Sequence, residues 1–315
     1  MANILILGGS GFIGSHLAER LIRDGHCLRV PTRRRERAKH LLVLPTIDVV
    51  EANVHDPAEL RALLQGMDVV INLVGVLHDG RGKPYGPGFA AAHVELPRKL
   101  VEACRATGVR RLLHMSALKA APDAPSAYLR SKGDGEAVIV GARGTLQTTI
   151  FRPSVVFGPE DNFLNLFARL QRRLPVVVLG SPDARFQPVY VGDVAEAFVR
   201  SLRTGESHGR AYDLVGPKVY TLREIVRYVG EVSGYPRPIL PLAPRAAYLQ
   251  AMMLEFAPGK LLTRDNYYSM TVDSVSDAPL PFDIDATAME AVAPRYLADD
   301  HPRMRYDFFR YRARR

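Results

Sequence analysis

Short, mainly apolar runs alternate with amphipathic stretches along the first half of the chain. The apolar runs occupy residues 4–7, 26–30, 47–52, 68–75, 111–116 and 146–151. Apolar runs of this length predict strands that are buried on both faces of a sheet. Between the runs, apolar residues recur at helical spacing. This spacing predicts helices that end at Gly25, start after Pro57, span 89–107 and include Tyr128.

Repeated strand–helix units predict an α/β fold with a doubly wound parallel sheet of the Rossmann type. After Pro153 the pattern becomes irregular and rich in proline. One later helix is well marked, since Thr221 and Glu224 form a capping box and Gly234 closes it. We therefore predict two parts. The Rossmann domain comprises 1–155 and 185–215, and a smaller, discontinuous C-terminal lobe comprises 156–184 and 216–315.

Glycines follow the first strand directly, in the stretch ILILGGSGFIGSH at 4–16. A strand, a glycine turn and a helix in this order predict dinucleotide binding. Gly8 permits the tight turn, Gly11 lets backbone N–H groups approach a pyrophosphate, and Gly14 lets the helix lie close to the strand. The cofactor-binding candidates in this turn also include Ser10, Phe12 and Ile13.

The second strand runs into Thr32, Arg33 and Arg34, and no acidic residue occurs before Glu36. A site selective for NAD(H) places a carboxylate here, which bonds the ribose hydroxyls and repels a 2′-phosphate. The hydroxyl and the guanidinium groups instead suit a 2′-phosphate, so we predict that NADP(H) is preferred over NAD(H). The alternative is a solvated arginine run without a ligand.

Further cofactor-binding candidates follow the third strand. Asn53, with Val54 beside it, is expected near the adenine, where its amide could bond the adenine edge. An asparagine at this position does not discriminate between the two cofactors.

Tyr128 and Lys132 are four residues apart in YLRSK, so on a helix they share one face. A lysine ammonium beside a phenol favours the phenolate and lowers the pKa of the tyrosine. Tyr128 could then exchange a proton with a substrate hydroxyl or carbonyl, while Lys132 also holds the nicotinamide ribose. In the alternative, Tyr128 packs against its neighbours and Lys132 only binds the cofactor.

The glycine turn GGSGFIG, together with YLRSK, resembles the extended and atypical short-chain dehydrogenase/reductases. FRPSVVFGP (151–159) and PVYVGDVAEAF (188–198) are similar to the stretches of that family that line the cofactor–substrate cleft and form the returning Rossmann segment. The resemblance implies cofactor contacts at the end of the fourth and sixth strands, from Leu73, Val74, Gly75 and Pro153.

Longer segments are similar to the dehydrogenase-like accessory subunit of respiratory complex I and its bacterial relatives. These segments are VVINLVGVL, HMSALKA, FRPSVVFGPEDNFLNLF, AYDLVGPKVYTLREIV and PGKLLTRDNYYSM. The resemblance implies a cofactor-binding subunit without turnover.

One residue departs from the catalytic pattern that the resemblance implies. Active extended members carry a Ser or Thr just beyond the fifth strand, where this chain has Ala117. The loss of one such hydrogen-bond donor costs about a hundredfold in rate. Ser116 precedes this position and could substitute after a small shift, so it is a further catalytic candidate.

The net charge of +9 is spread along the chain without a nucleic-acid-binding motif, so we expect no nucleic acid partner. Two cysteines and nine histidines show no metal-ligand spacing, and we expect no metal. No apolar run approaches the roughly 18 residues of a membrane span, and no signal-peptide pattern is present. We predict a cytoplasmic protein and leave peripheral contact with the inner membrane open.

Two regions predict a partner surface. The C-terminal residues 301–315 interleave arginines with aromatic residues, and 242–258 is mostly apolar. We expect them to meet a respiratory complex or an anionic membrane surface, and the apolar region also suits a hydrophobic small molecule. A solvated tail and a packed amphipathic helix are the alternatives.

Three hypotheses for function remain. The first is an NADP(H)-binding accessory or redox-sensing partner of a complex I-like or quinone-related system. The second is an active NADPH-dependent oxidoreductase acting on a lipophilic carbonyl or hydroxyl. The third is a nucleotide-sugar epimerase or dehydratase, which the missing Ser/Thr and the absence of an acid after the second strand disfavour.

Overall fold

The computed structural model describes residues 1–80, 82–256 and 262–298, and the chain divides into two compact units. The first unit comprises Met1–Ser154, Val191–Val215 and Ser276–Asp285. The second contains the described residues of Val155–Tyr190, Gly216–Val275 and Ala286–Arg315.

Two short segments differ from the predicted division. Residues 276–285, predicted in the smaller lobe, belong to the first unit. There Ser276 donates a hydrogen bond of 2.7 Å to the Asp213 carboxylate, and Phe282 packs against Tyr212. Residues 185–190 belong to the second unit, where their two short strands find their pairing partners.

The strands number thirteen in the described residues. They are β1 Asn3–Leu7, β2 Cys27–Thr32, β3 Ile47–Glu51, β4 Val69–Asn72, β5 Arg111–Met115, β6 Gln147–Pro153, β7 Val156–Phe157, β8 Val177–Leu179, β9 Arg185–Phe186, β10 Val189–Tyr190, β11 Arg210–Leu214, β12 Tyr220–Thr221 and β13 Ile239–Pro241.

The α-helices of the described residues are short to medium in length. They are α1 Phe12–Arg23, α2 Pro57–Leu64, α3 Pro87–Phe89, α4 Leu96–Thr107, α5 Ala127–Gly141, α6 Leu164–Arg173, α7 Val191–Arg203, α8 Leu222–Val232, α9 Pro244–Leu254, α10 Arg264–Ser269, α11 Met289–Val292 and α12 Pro294–Leu297. Two 3₁₀ helices (Arg35–Leu41 and Gly205–Ser207) and a π-helical turn (Ala90–Glu95) complete the set.

Seven parallel strands form the sheet of the first unit in the order β3-β2-β1-β4-β5-β6-β11. This is the predicted Rossmann-type α/β fold, and the prediction is confirmed. The strand order reverses between β1 and β4, and ligands bind such sheets at the carboxyl ends of the strands that flank this reversal.

β4 is shorter than the predicted strand at 68–75. Its pairing with β1 ends where Leu7 faces Asn72, because β1 itself stops there and turns at Gly8. The Asn72 side chain then accepts a hydrogen bond from the Val74 N–H and bends the chain away from the sheet. Leu73, Val74 and Gly75 therefore lie in a loop at the carboxyl edge.

The predicted helix at 89–107 is interrupted at its start by the π-helical turn Ala90–Glu95. Pro97 lies in the first turn of α4 and has no N–H, so it cannot donate the usual helical hydrogen bond to the carbonyl of His93. This missing bond accounts for the local widening of the helix.

Helix α5 approaches that carbonyl through a glycine. A Cβ added at Gly135 would overlap the His93 carbonyl oxygen, and one added at Gly133 would lie 2.5 Å from the carbonyl carbon of Ala121. The glycines of SKGDGE thus permit the close packing of α5 against the π-helical turn and the loop before α5.

A separate apolar core holds the second unit together, with Phe157, Ile225 and Val229 at its centre. The predicted capping box is present, since the Thr221 and Glu224 side chains each bond the backbone N–H of the other. Helix α9 lies within the predicted apolar region 242–258 and buries Ala247 and Ala251.

The opposite side of α9 carries apolar side chains that are exposed to solvent. Leu249 and Met253 lie on it and Phe256 follows it, with exposed fractions of 48%, 69% and 77%. None of the described helices is both long and apolar enough to cross a membrane. The tail at 301–315 lies outside the described residues.

The packing of α5 generates a prediction about stability. Gly135→Ala should lower the free energy of unfolding by about 2 kcal/mol or more, because the added methyl group must displace the His93 backbone. Gly141→Ala, at the end of the same helix, meets no atom within 4 Å and should stabilise the protein slightly, by up to about 1 kcal/mol. Urea unfolding measures both. Similar values for the two variants would contradict the close packing.

Candidate functional site

The turn after β1 is packed so closely that two of its glycines cannot be replaced without displacing backbone atoms. Gly8 has φ of +79° and lies against the backbone after β4, where an added Cβ would be 3.0 Å from the Leu73 carbonyl carbon. A Cβ at Gly14 would lie 2.5 Å from the Gly8 carbonyl oxygen. The packing of the chain therefore explains both glycines.

Gly11 differs from these two glycines. It is exposed, and a Cβ there would meet only the Gly8 carbonyl oxygen, at 3.3 Å. It is also the N-cap of α1. Because glycine has no side chain, no N-cap side chain accepts a hydrogen bond from the first N–H groups of the helix. Ser10, Phe12 and Ile13 are half-buried around this end. The arrangement fits an anion such as a pyrophosphate.

At the end of β2, the Thr32 side chain is buried and donates a 3.1 Å hydrogen bond to the Arg34 carbonyl. The hydroxyl thus holds the turn, which differs from its expected role as a donor to a phosphate. Arg33 and Arg34 are exposed, and no salt bridge joins either of them to an acidic side chain of the described residues. Their guanidinium groups place positive charge at the turn that follows β2.

Asn53 is exposed after β3, and its side-chain oxygen accepts a hydrogen bond of 3.1 Å from the His55 N–H. Its own N–H donates to the Glu59 carboxylate. Val54 packs partly against the core of the first unit. These contacts fix the loop between β3 and α2.

Helix α5 carries the predicted pair, Tyr128 and Lys132. Ser126 caps the helix by accepting a hydrogen bond from the Leu129 N–H. The Lys132 ammonium is buried and donates a 3.1 Å hydrogen bond to the Met115 carbonyl at the end of β5. Burial lowers the pKa of Lys132 to about 8. A Cβ at Gly75 would lie 3.3 Å from this ammonium, so α5 brings Lys132 directly under the loop after β4.

The expected lowering of the Tyr128 pKa does not occur. Burial raises the pKa of Tyr128 to about 12, because the phenolate would lose its hydration at this buried position. At neutral pH Tyr128 is therefore a phenol, which can donate a proton but is a poor base.

The end of β5 presents Ser116 and Ala117. The Ser116 hydroxyl is buried and has no hydrogen-bond partner among the described residues. Ala117 packs in an apolar cluster with Ala124 and Leu129, against which Tyr128 also lies. A methyl group thus stands where the resemblance calls for a hydroxyl.

The end of β6 lies beside these two residues. Pro153 is half-buried there, and its carbonyl accepts a hydrogen bond of 3.0 Å from the Leu118 N–H. This bond ties the backbone that follows Ala117 to the last residue of β6.

Three buried polar residues near this edge were not among the predicted site residues. Asn72 ends β4, and His114 is the next-to-last residue of β5. The Asn72 Nδ2 and the His114 Nδ1 are 3.2 Å apart, and His93 lies on the π-helical turn. Burial, and then the charge of Lys132, lowers the pKa of His114 to about 3. A polar residue within an apolar run was the available sequence signal for the first two. His93 had a weaker one, a polar side chain on the apolar face of a predicted helix.

Comparison with known proteins agrees with this geometry. The NAD dependent epimerase/dehydratase family matches residues 4–214. NADH dehydrogenase (ubiquinone) 1 alpha subcomplex subunit 9 of Arabidopsis thaliana mitochondria is 31% identical over 88% of this chain and 72% of its own length. A ceramide reductase from Caulobacter vibrioides is 30% identical over 85% of this chain and 81% of its own length. Of four further mitochondrial complex I subunits, this chain spans 58–63% of the length.

Among solved structures, a dTDP-glucose 4,6-dehydratase from Streptomyces venezuelae with NAD bound has the same fold, with a TM-score of 0.67. It is 21% identical and is matched over 78% of this chain and 85% of its own. Because the family match covers more than half of the sequence and includes the glycine turn, Tyr128 and Lys132, the chain belongs to the NAD-dependent epimerase/dehydratase family.

Proposed function

We propose that this protein binds NADP(H) at the carboxyl edge of its parallel sheet and serves as a cofactor-binding accessory or redox-sensing partner of a complex I-like or quinone-related system. The main observation that supports this proposal is the open N-terminal end of α1 at Gly11. The contacts of the chain explain Gly8 and Gly14, but a side chain at Gly11 would meet only the Gly8 carbonyl oxygen, at 3.3 Å, and would otherwise fill the open space in which we place the pyrophosphate. The neighbouring loops, with Ser10, Phe12, Ile13, Leu73, Val74 and Gly75, supply the walls of this site.

The nicotinamide end of the proposed site is built for binding. The buried Lys132 ammonium lies beside the Gly75 backbone and has hydrogen-bond donors left for ribose hydroxyls. Pro153 ends the neighbouring strand β6. NADP(H), when bound, would supply hydride-transfer chemistry.

The same end is poorly equipped for turnover. Ala117 cannot donate a hydrogen bond to a reacting oxygen, and Tyr128, with its pKa of about 12, cannot accept a proton from an alcohol at neutral pH. Ala117 thus favours binding over catalysis, and the protonated state of Tyr128 disfavours alcohol oxidation while leaving carbonyl reduction open.

The alternative is an active NADPH-dependent oxidoreductase that reduces a lipophilic carbonyl or oxidises a hydroxyl. Two observations favour it as the second candidate. The buried Ser116 hydroxyl has no partner in the described part of the chain and could bond a substrate oxygen, and one relative is named a ceramide reductase. A nucleotide-sugar epimerase or dehydratase is less well supported, since the solved enzymes of that kind share only the fold.

The proposed partner is a respiratory complex or an anionic membrane surface at which the protein is peripheral. The names of the mitochondrial relatives and the exposed apolar side of α9, with Leu249, Met253 and the nearby Phe256, support this proposal. The same surface would also suit a hydrophobic small molecule. We place the protein in the cytoplasm in this proposal.

Gly11→Val tests the dinucleotide site. Residue 11 has φ of −85° and ψ of 176°, a conformation that valine adopts readily, so the variant should fold. Its side chain should block the approach of the pyrophosphate and weaken NADPH binding by more than about tenfold. Calorimetric titration of the wild type, Gly11→Val and the control Gly141→Ala gives the comparison. A folded Gly11→Val protein with wild-type affinity would refute the site.

Replacing both Arg33 and Arg34 by Ala tests the cofactor preference. The wild type should bind NADPH more tightly than NADH, and the double variant should lose about tenfold or more in NADPH affinity, since charge-assisted hydrogen bonds to the 2′-phosphate are removed. Its NADH affinity should stay within about threefold, because NADH carries no 2′-phosphate. Tighter binding of NADH by the wild type would contradict the proposed preference.

Tyr128→Phe and Lys132→Met separate the two leading functions. In a binding protein, Lys132→Met should weaken NADPH affinity about tenfold, because charged hydrogen bonds to the ribose disappear, while Tyr128→Phe should change it by less than about threefold. The NADPH oxidation rate with carbonyl and quinone acceptors is measured in parallel. A wild-type activity that collapses in Tyr128→Phe would establish the oxidoreductase instead.

A further inference from the structure

His93 is buried, with 2% of its surface exposed. It has no part in the cofactor contacts or the proton transfer of the proposed function. It lies on the π-helical turn before α4, and both of its ring nitrogens are engaged. Its two partners belong to different parts of the proposed site. One is the loop after β4, and the other is helix α5.

The hydrogen bonds determine which nitrogen of His93 carries the proton. The Val76 backbone N–H can only donate, and it lies 3.0 Å from Nε2, so Nε2 must present its lone pair. The proton of the neutral ring is therefore on Nδ1, which is 2.8 Å from the Ser131 hydroxyl oxygen. That hydroxyl donates its own proton to the Tyr128 carbonyl at 2.8 Å, so it accepts from His93.

The surroundings of the ring keep it neutral. Phe89 stacks on one face at 5.3 Å, and Tyr128 meets the ring edge-on at 5.7 Å. Burial, followed by the charges of Lys132 and His114, lowers the pKa of His93 to about 2. An imidazolium would also turn Nε2 into a donor that faces the Val76 N–H, which has no lone pair to offer.

This chain of bonds bears directly on the distance between the loop and Lys132. Val76 follows Gly75, and a Cβ added at Gly75 would lie 3.3 Å from the Lys132 ammonium. Ser131 precedes Lys132 on α5. His93 therefore ties the residue before Lys132 to the residue after Gly75. If the tie were cut, the loop backbone and the ammonium could separate.

We propose that His93 is a positioning residue: as its neutral Nδ1–H tautomer it joins the Val76 N–H to the Ser131 hydroxyl, and so sets the spacing of Gly75 and Lys132 that the nicotinamide-ribose half of a dinucleotide requires. The last step of this proposal rests on the proposed function. The tautomer and the tie between the loop and α5 do not, because they are properties of the chain without a ligand.

The tautomer is tested on the wild-type protein by ¹⁵N NMR of its histidine rings, with the His93 signals identified from their absence in His93→Gln. Nδ1 should show the shift of a protonated nitrogen and Nε2 that of a lone-pair nitrogen, unchanged between pH 5 and pH 8. Isolated imidazole side chains favour the opposite tautomer, so the result is diagnostic. An Nε2–H tautomer, or an imidazolium within this range, would overturn the proposal.

Two substitutions test the positioning role. The amide of Gln reaches the position of Nε2 and that of Asn the position of Nδ1, so His93→Gln can keep the acceptor for Val76 and His93→Asn cannot. We expect His93→Gln to retain NADPH affinity within about threefold and His93→Asn to lose about tenfold, since the partly buried Val76 N–H loses the acceptor that holds the loop in place. Both should bind adenosine 2′,5′-bisphosphate, which lacks the nicotinamide half, as the wild type does.

The outcomes separate this proposal from a structural role and from the proposed function. Equal affinities in the Gln and Asn variants, or a parallel loss of NADPH and adenosine bisphosphate binding, would show that His93 only supports the fold. A wild type that binds neither NADPH nor NADH would refute the proposed function, and the ring spectrum would then decide whether the tie exists. If both variants fail to fold, sequence-specific resonance assignment of the wild type identifies the His93 ring instead, and its spectrum is again decisive.

Discussion

The candidate site depends on the close approach between the turn after β1 and the backbone that follows β4. Because β1 and β4 are neighbours in the sheet, their carboxyl ends emerge side by side, and the chain must turn away from both within a few residues. Gly8 makes this turn with a positive φ while its Cα faces the Leu73 backbone, and Gly14 brings α1 against the same turn. A side chain at either position would push the helix and the loop apart, and the N-terminal end of α1 would lose its place at the sheet.

A second layer of order comes from polar groups buried at the same edge. Asn72 bonds the Val74 N–H and His114, while His93 bonds the Val76 N–H and Ser131. Each bond satisfies a buried side-chain polar atom that would be costly to leave unpaired. The two bonds from the Val74 and Val76 N–H groups also hold a loop that has no regular secondary structure. The loop after β4 is thus held by two side chains from different elements, which gives a ligand site defined walls.

The burial that orders this edge also determines its acid–base properties. It holds His93 and His114 neutral, lowers the pKa of Lys132 to about 8 and raises that of Tyr128 to about 12. A phenol in this state can still protonate an alkoxide as it forms, so reduction of a carbonyl is chemically less demanding here than oxidation of an alcohol. With the methyl group of Ala117 at the strand end, the site combines a well-formed binding surface with a sparse set of proton donors and acceptors.

The sequence alone determined six of the seven strands of the sheet, the helices between them and the glycine turn, because these depend on local periodicity and on backbone conformations that neighbouring residues impose. It also determined that Tyr128 and Lys132 share a helix face, since four residues complete about one turn. Contacts between distant segments were decided only by the tertiary structure. Pro97 interrupts a helix whose spacing looked continuous, and the Thr32 hydroxyl turns to its own chain. Burial raises the pKa of Tyr128, which the sequence predicted to be lowered. The partners of His93 lie 17 and 38 residues away along the chain, and no local pattern records that the fold brings them within hydrogen-bond distance.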